Sequence, residues 1–308
     1  MSAILQAQAL GKRYGRRQAL ADCTLEVPPG HVVGLVGPNG AGKTTLLKIA
    51  CGMLAQTTGR IEVLGGQPAA GPAQLARVGY VAQDTPTYAS LSVADHLKLG
   101  AKMNPRWDAE LARSRVAQLE LDPKQKAGKL SGGQRAQLAL TVAVAKRPEL
   151  LILDEPVASL DPLARRDFLR RLMESVAEHD TSVILSSHLV SDLERVCDYL
   201  IVLVSSHVQI SGPTEELLAR HHRIVCTRRA ETDLPAGLEV VWAKHTDRQS
   251  TFVVCGEGEL PPGDWSAEHL DMEDLVLTYM ERAAAAGRHA TAPAPIQTPP
   301  IQTTEDAR

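Results

Sequence analysis

A nine-residue stretch early in the chain reads Gly37-Pro38-Asn39-Gly40-Ala41-Gly42-Lys43-Thr44-Thr45. It matches G-x-x-x-x-G-K-T, the pattern of a glycine-rich loop that directs backbone N–H groups toward phosphate oxygens. Residues 31–36 before it have the length and apolar character of a buried strand, and residues 45–50 after it have the pattern of a helix. A chance glycine-rich turn is the competing interpretation, but the order of strand, loop and helix favours a phosphate site.

Two side chains of this loop have specific roles in such a site. Lys43 would reach the β- and γ-phosphates of a nucleoside triphosphate, and the hydroxyl group of Thr44 would bind Mg²⁺. The start of the following helix adds partial positive charge at the same place. The stretch therefore predicts a nucleotide-binding site.

Composition narrows the class of protein. The 308-residue chain is long enough for one large domain and a smaller unit, and its hydrophobic content of 44% permits a substantial core. The net charge of −3 gives no basic surface that would predict nucleic-acid binding. Five scattered cysteines without a C-x-x-C pair fit a reducing cytoplasm and argue against a structural zinc site.

The sequence predicts neither membrane insertion nor secretion. Apolar runs have the length of strands and stay well below the roughly 18 residues that a membrane-spanning helix needs. The first residues lack a basic region followed by an apolar stretch, so we expect no signal peptide. A cytoplasmic protein is expected, in which any role at a membrane requires a partner.

Polar side chains follow three further apolar runs, at the point where each predicted strand ends. Gln83 follows one, Asp154 and Glu155 end the second, and His188 follows the third. Because α/β proteins place ligand-contacting groups at the carboxyl ends of their strands, we expect these residues near the phosphate loop. Asp154 is suited to hold Mg²⁺ and Glu155 to act as a general base toward water. The alternatives are a polar loop after each strand and a structural histidine.

Helical periodicity replaces the strand pattern at about residues 90–146, which predicts a helical subdomain inserted into an α/β core. Its last helix begins after Ser131, whose side chain is suited to cap it, and Gly132 and Gly133 leave the first-turn amides accessible. Gln134 follows directly. These residues predict a second anion-binding helix start, although they also suit a flexible turn.

The chain changes character after residue 222. Short alternating runs predict antiparallel strands, residues 267–284 have the pattern of a helix, and together they predict a small α+β extension over 223–285. Residues 223–308 contain eight Lys or Arg and fourteen Asp or Glu, which is unsuited to a nucleic-acid arm. The Pro-, Ala- and Thr-rich stretch 286–308 is predicted to be disordered.

Together these motifs resemble those of the ATP-binding cassette (ABC) ATPases over roughly residues 3–220. Between the phosphate loop and the strand ending in Asp154, the Leu-Ser-Gly-Gly-Gln segment at 130–134 matches the signature of that family. The resemblance implies an α/β P-loop NTPase fold over residues 1–222. Its expected parts are a mixed, mainly parallel sheet, an antiparallel β subdomain and the inserted helical subdomain.

The resemblance also implies roles for individual residues. Tyr14 matches the aromatic residue that stacks on adenine, although the residues alone fit an ordinary half-buried strand tyrosine equally well. Gln83 matches the residue that contacts Mg²⁺ and water and relays closure to a transmembrane partner. Asp154 and Glu155 match the magnesium-linked carboxylate and the catalytic base.

Two more matching positions lie further along the chain. Asp161 matches the residue that communicates across the dimer, and His188 matches the switch that contacts the γ-phosphate. The segment before Asp161 reads Val-Ala-Ser-Leu-Asp, where Thr-Ser-Gly-Leu-Asp is usual in the family. No catalytic position is replaced, so the resemblance implies that ATP is hydrolysed.

The implied assembly is a head-to-tail dimer, either a homodimer or a heterodimer with a related ATPase, that encloses two ATP molecules. Each ATP would lie on the phosphate loop of one subunit and be capped by Ser131-Gly132-Gly133-Gln134 of the other. ATP would hold the dimer closed because its γ-phosphate contacts both subunits, and hydrolysis would let it open.

The chain resembles bacterial drug or antibiotic exporter subunits in having one cassette and a short C-terminal extension. The expected function is ATP hydrolysis, with Mg²⁺, at the cytoplasmic face of the membrane, coupled to a separate transmembrane permease. The alternative is a soluble ABC ATPase that acts on ribosomes or nucleic acid. The single cassette, and the lack of sustained heptads or cysteine pairs in the sequence, argue against that alternative.

Overall fold

A computed structural model describes residues 3–85, 87–178, 180–256, 263–288 and 296–297. Its strands are β1 (Leu5–Tyr14), β2 (Arg17–Val27), β3 (Val32–Val36), β4 (Thr58–Val63), β5 (Val78–Val81), β6 (Leu150–Asp154), β7 (Ser182–Ser187), β8 (Tyr199–Val204), β9 (His207–Pro213), β10 (His221–Thr227), β11 (Glu239–His245), β12 (Gln249–Cys255), β13 (Trp265–His269) and β14 (Ile296–Gln297). Its α-helices are α1 (Lys43–Ala50), α2 (Pro72–Arg77), α3 (Val93–Met103), α4 (Ala109–Gln118), α5 (Gly132–Ala145), α6 (Pro162–Ala177), α7 (Val190–Leu193), α8 (Thr214–Arg220) and α9 (Met272–Arg288).

The central sheet positions the site. Its strand order is β14-β9-β8-β3-β7-β6-β5, with β8 and β9 antiparallel and the other neighbouring pairs parallel. Strands β3, β6 and β8 are buried along their whole length, as expected for parallel strands covered on both faces. Because the parallel strands β3, β5, β6 and β7 share one direction, their carboxyl ends lie at the same edge.

A second sheet, with strand order β2-β1-β4, is antiparallel and packs with α1 on one side of the central sheet. Their apolar side chains form one cluster that includes Leu10, Leu20, Leu35, Leu47 and Ile201. This cluster fixes α1, and with it the phosphate loop, against the end of β3.

The inserted helices follow the capping signals of the sequence. The side chains of Ser92, Asp108 and Ser131 accept backbone N–H bonds at the starts of α3, α4 and α5. Pro162 is the first residue of α6, and Asp161 is its N-cap. The helical region has its own apolar cluster, consisting of Val93, Val116, Leu121, Ala127, Leu130 and Leu138.

The predicted antiparallel strands after residue 222 are confirmed as β10, β11 and β12, in a sheet of order β11-β12-β10-β13. The prediction of one helix over 267–284 is wrong at its start, because residues 265–269 pair with β10 as β13. The helix begins only after Asp271, whose carboxylate accepts a hydrogen bond from the N–H group of Asp274 at 2.7 Å. Leu275 and Tyr279 of α9 join the apolar cluster of the central sheet.

The C-terminal stretch predicted to be disordered is described only in part. Helix α9 extends to Arg288, and Ile296 and Gln297 pair in parallel with Ile210 and Ser211 of β9. Residues 289–295 and 298–308 of that prediction lie outside the described residues. Within the described part of the chain, every helix is too short or too polar to cross a membrane.

Candidate functional site

The phosphate loop joins the end of β3 to the start of α1. At Gly37 a Cβ atom would lie 1.9 Å from the carbonyl oxygen of Leu203 on β8. A residue with a side chain would therefore clash with β8 at the point where the chain leaves β3. Gly42 caps α1 with a φ of +114°, a conformation that favours glycine. The backbone therefore curls over the start of α1, where N–H groups and the helix dipole favour an anion.

Lys43 is the first residue of α1, and it is only 4% exposed. Its Nζ atom donates to the carbonyl oxygen of Gly37 at 2.7 Å and lies 3.3 Å from Oε1 of Glu155. A buried ammonium group is costly unless it is paired in this way. A phosphate group entering the loop would compete for the same proton donors.

Asp154 ends β6 next to α1. Its Oδ1 atom accepts hydrogen bonds from the hydroxyl groups of Thr44 at 3.1 Å and Ser186 at 3.0 Å. Ser186 also accepts a hydrogen bond from the backbone N–H group of Glu155 at 2.9 Å. One serine of β7 therefore contacts the carboxylate of Asp154 and the backbone of Glu155.

The environment of Asp154 suits a cation. Burial raises the pKa of its carboxyl group, while the hydrogen bonds from Ser186 and Thr44 act in the opposite direction. Its Oδ2 atom is buried and has no hydrogen-bond partner among the described residues. A carboxylate and a threonine hydroxyl are oxygen ligands of the kind that Mg²⁺ prefers, so these residues fit the predicted metal.

Glu155 is fixed from two sides. Its Oε1 atom faces Nζ of Lys43, and its Oε2 atom accepts a hydrogen bond from Nδ1 of His188 at 3.0 Å. The backbone of Glu155 has a φ of +45°, which is strained for a residue other than glycine. The turn after β6 therefore directs a buried carboxylate into the cleft.

A cleft of about 490 Å³ opens over the loop. It brings together most of the predicted site, and its described lining consists of Tyr14, Arg17, Ala19, Asn39, Gly40, Gly42, Lys43, Thr44, Thr45, Gln83, Glu155, Ala158 and His188. Tyr14 is 48% exposed, and the ammonium group of Lys12 lies 5.3 Å from the centre of its ring. An exposed aromatic face at the side of the cleft is available for a flat base.

The second predicted anion site lies elsewhere. Ser131, Gly133 and Gln134 line a different cleft, together with residues of α4 and α6 such as Gln118 and Arg171. The hydroxyl oxygen of Ser131 accepts a hydrogen bond from the N–H group of Gln134 at 3.2 Å, and the side chain of Gln134 accepts one from the N–H group of Ser131 at 3.0 Å. This capping box confirms that Ser131 starts a helix.

Asp161 is in the described lining of neither cleft. Its Oδ1 atom accepts hydrogen bonds from the backbone N–H groups of Leu163 and Ala164, each at 3.0 Å. Within one chain this carboxylate therefore acts as a helix cap.

Sequence reasoning missed Ser186, Arg17 and Ala158. The polar pair Ser186-Ser187 at the end of the apolar run Val183-Ile184-Leu185 was an available signal for the first. Arg17 and Ala158 enter the cleft only because β2 and the turn after β6 fold over the loop. The pattern of the sequence offered no local sign of their position.

Comparisons with known proteins identify the family of the chain. A protein-family model described as "ABC transporter" matches residues 20–158. "ABC transporter ATP-binding protein YtrB" of Bacillus subtilis (strain 168) is 30% identical over 287 residues, which cover 89% of this chain and 97% of that protein. "Nod factor export ATP-binding protein I" of Cupriavidus metallidurans is 34% identical over 224 residues, which cover 71% of this chain and 74% of that protein. A relative named for sulfate/thiosulfate import also matches.

A solved structure described as the ATP-binding subunit of an ABC transporter has a similar fold. It matches with a TM-score of 0.62 and 29% identity, covering 70% of this chain and 91% of that one. The family and the fold that the sequence predicts are thus confirmed. The chain belongs to the ATP-binding subunits of ABC transporters, which are ATPases.

Proposed function

We propose that this chain drives export of a substrate through separate transmembrane permease subunits, from the cytoplasmic face of the membrane, as one half of a head-to-tail ATPase dimer. The observation that carries the proposal is the position of the Glu155 carboxylate between Lys43 and His188, beside the phosphate loop. Export as the direction follows the relative named for Nod factor export.

The geometry supports a simple order of events. Phosphate oxygens on the loop compete for Nζ of Lys43, which now lies 3.3 Å from Glu155. Once Lys43 turns to the phosphates, Oε1 of Glu155 is available to accept a proton from a water molecule beside the γ-phosphate. His188 holds the other carboxylate oxygen in place. The water oxygen then bonds to the γ-phosphorus. The bond from that phosphorus to the oxygen bridging the β- and γ-phosphates breaks, and ADP leaves with its electrons.

We propose Thr44, Asp154 and Gln83 as the residues that hold Mg²⁺. The unpaired Oδ2 atom of Asp154 and the nearby hydroxyl group of Thr44 support this assignment. Gln83 is exposed and lines the same cleft. Bound Mg²⁺ supplies positive charge to the phosphate oxygens.

A shared nucleotide site is supported by the separation of the two clefts. None of residues 131–134 belongs to the described lining of the loop cleft, yet their helix start has the chemistry to receive an anion. We propose that this segment of a second subunit, a copy or a related ATPase, caps the γ-phosphate. Asp161 would then lie at the interface between the subunits.

Affinity purification of the full chain from solubilised membranes tests the function. We expect a polytopic membrane protein to be recovered with it, and recovery of ribosomes or nucleic acid without one would overturn the proposal. Proteoliposomes with the ATPase facing outward test the direction. We expect ATP to drive substrate into their lumen, whereas ATP-driven loss from the lumen would mean import.

A further inference from the structure

Arg165 spans two segments that flank the site. It lies on α6, four residues after Asp161. Its Nη2 atom donates to the carbonyl oxygen of Leu160 at 3.5 Å, at the long end of hydrogen bonding, and its Nη1 atom lies 3.6 Å from Oδ1 of Asp192. Leu160 directly precedes Asp161, and Asp192 lies on α7, four residues after His188. One guanidinium group therefore contacts both segments.

Arg165 pairs with a buried carboxylate, and its own side chain is 23% exposed. Asp192 is 7% exposed, and burial raises the pKa of its carboxyl group against the stabilising charges of Arg165, His188 and Arg195. A buried carboxylate is strongly destabilised when its partner is removed. Asp192 therefore holds the guanidinium group of Arg165 in place, and with it the contact to Leu160.

The two segments also meet at Glu155. The turn that leads to Asp161 is anchored there, because the N–H group of Ala158 donates to the carbonyl oxygen of Glu155 at 3.2 Å. His188 contacts the carboxylate of the same residue. Arg165 contacts the same two segments at a second place, through Leu160 and Asp192. Arg165 therefore links the turn before Asp161 to the short helix after His188.

We propose that Arg165 is a positioning residue that couples the turn at Leu160–Asp161 to the orientation of His188. This inference rests on the proposed function, in which Asp161 lies at the subunit interface and His188 orients Glu155. A change at the interface would then reach the catalytic carboxylate through the guanidinium group. Arg165 itself needs no contact with ATP.

Steady-state kinetics of the full chain test this role. For Arg165→Met we expect kcat to fall about tenfold, within the range of coupling effects, while KM for ATP stays the same. Arg165→Lys, which keeps the charge but not the two-armed shape, should recover part of kcat. Arg166→Ala is the matched control, since Arg166 is the exposed neighbour on the same helix. An unchanged kcat in Arg165→Met would overturn the inference.

A double variant separates positioning from stability. The single variant Arg165→Met leaves the buried charge of Asp192 without its partner, so its thermal midpoint of unfolding should be lowered. In Arg165→Met/Asp192→Asn that charge is removed as well, so the midpoint should return toward that of the unaltered chain. The positioning role predicts that kcat nevertheless stays low. Recovery of kcat together with the midpoint would mean that Arg165 acts only on stability, and would overturn the inference.

Amide hydrogen exchange gives a readout that needs ATP binding but no turnover. On adding ATP to the unaltered chain, we expect exchange to slow both in residues 156–161 and in residues 189–193. In Arg165→Met only the first segment should respond. Equal responses of both segments in that variant would contradict the coupling, whether or not the chain hydrolyses ATP. If the unaltered chain did not hydrolyse ATP, that result would contradict only the proposed function.

Discussion

Two helices of this molecule begin at a turn that we propose to contact the phosphates of ATP, and they are built in opposite ways. α1 begins in a loop where glycine is required sterically, and its buried Lys43 is paired with Glu155. α5 begins at the exposed Ser131, and the polar groups of its capping box are paired with each other. The first start contacts the carboxylates of Asp154 and Glu155, whereas the second lines a cleft of its own.

The difference indicates that the two helix starts have different roles. In the proposed function the start of α1 holds the nucleotide, and the present contacts of its Lys43 side chain are ones that a phosphate group would replace. At the start of α5 the side chains of Ser131 and Gln134 are already fixed by the capping box, so they need no rearrangement when a ligand on another molecule meets the helix. Such preorganisation reduces the cost of association. The predictions below test whether catalysis belongs to the first start and capture of the partner to the second.

The largest effect is expected at Glu155. Glu155→Gln keeps the shape of the side chain but removes the general base, so kcat for ATP hydrolysis should fall by about 10²- to 10⁴-fold. Phosphate release by the full chain measures it. ATP should still assemble the dimer, because both helix starts are intact, and size-exclusion chromatography with light scattering would show it. Hydrolysis at the parent rate would mean that Glu155 is not the base.

Lys43→Met is expected to have the next largest effect. The change keeps the apolar stem but removes the charge that would contact the phosphates, and a hydrogen bond to a charged group contributes about 1.5–3 kcal/mol. ATP binding should therefore weaken by roughly 10- to 150-fold, as measured by calorimetry. Lys98→Met, at an exposed lysine of α3, is the control. Equal affinities of the two variants would remove Lys43 from the nucleotide site.

A matched pair of serines tests the second helix start. Ser92 and Ser131 both cap a helix through a capping box, so Ser92→Ala and Ser131→Ala should each lower the free energy of unfolding by about 1 kcal/mol. Only Ser131→Ala should weaken the ATP-dependent dimer, while ATP binding by the single subunit stays the same. If both variants dimerise equally well, the start of α5 is a structural cap and the proposed shared site fails.

The two helix starts also differ in how far the sequence reveals them. The loop at 37–45 could be predicted because its function depends on residues that are neighbours in the chain, and the cap at Ser131 could be predicted for the same reason. The positions of Asp154 and Glu155 at a strand end were equally local. What these residues contact across the sheet depends on register and packing, which the local pattern does not encode.

Contacts between distant segments are where prediction from the sequence stopped. Ser186 joins Asp154 and Glu155 across neighbouring parallel strands, more than thirty residues apart. Residues 267–269 of the edge strand β13 fall within the predicted helix 267–284, and their pairing with β10 decides their conformation instead. The separation of the two clefts follows from the placement of the inserted helices, which no motif specifies.

The smallest expected effect concerns Asp154 beside the first helix start. Its pKa in the folded chain is raised above the ordinary value of 3.8 because burial disfavours the charged form. The stability that this group contributes is therefore fully present below its unfolded pKa and is lost as the pH rises through its folded pKa. At neutral pH, without a cation, the charged carboxylate should thus lower the free energy of unfolding.

Asp154→Asn removes that charge and keeps an oxygen that can accept the hydrogen bonds from Thr44 and Ser186. In the presence of a chelator, we expect the thermal midpoint of the variant to exceed that of the unaltered chain at pH 7. The difference should shrink as the pH falls below about 4, where the carboxyl group becomes protonated in the unfolded chain as well. Mg²⁺ with ATP should stabilise the unaltered chain more than the variant, because a cation interacts favourably with the charged carboxylate. If the variant were instead less stable than the unaltered chain at pH 7 without cations, the hydrogen bonds from Thr44 and Ser186 alone would be sufficient to stabilise the charged carboxylate of Asp154. The start of α1 would then need no metal ion to offset that charge.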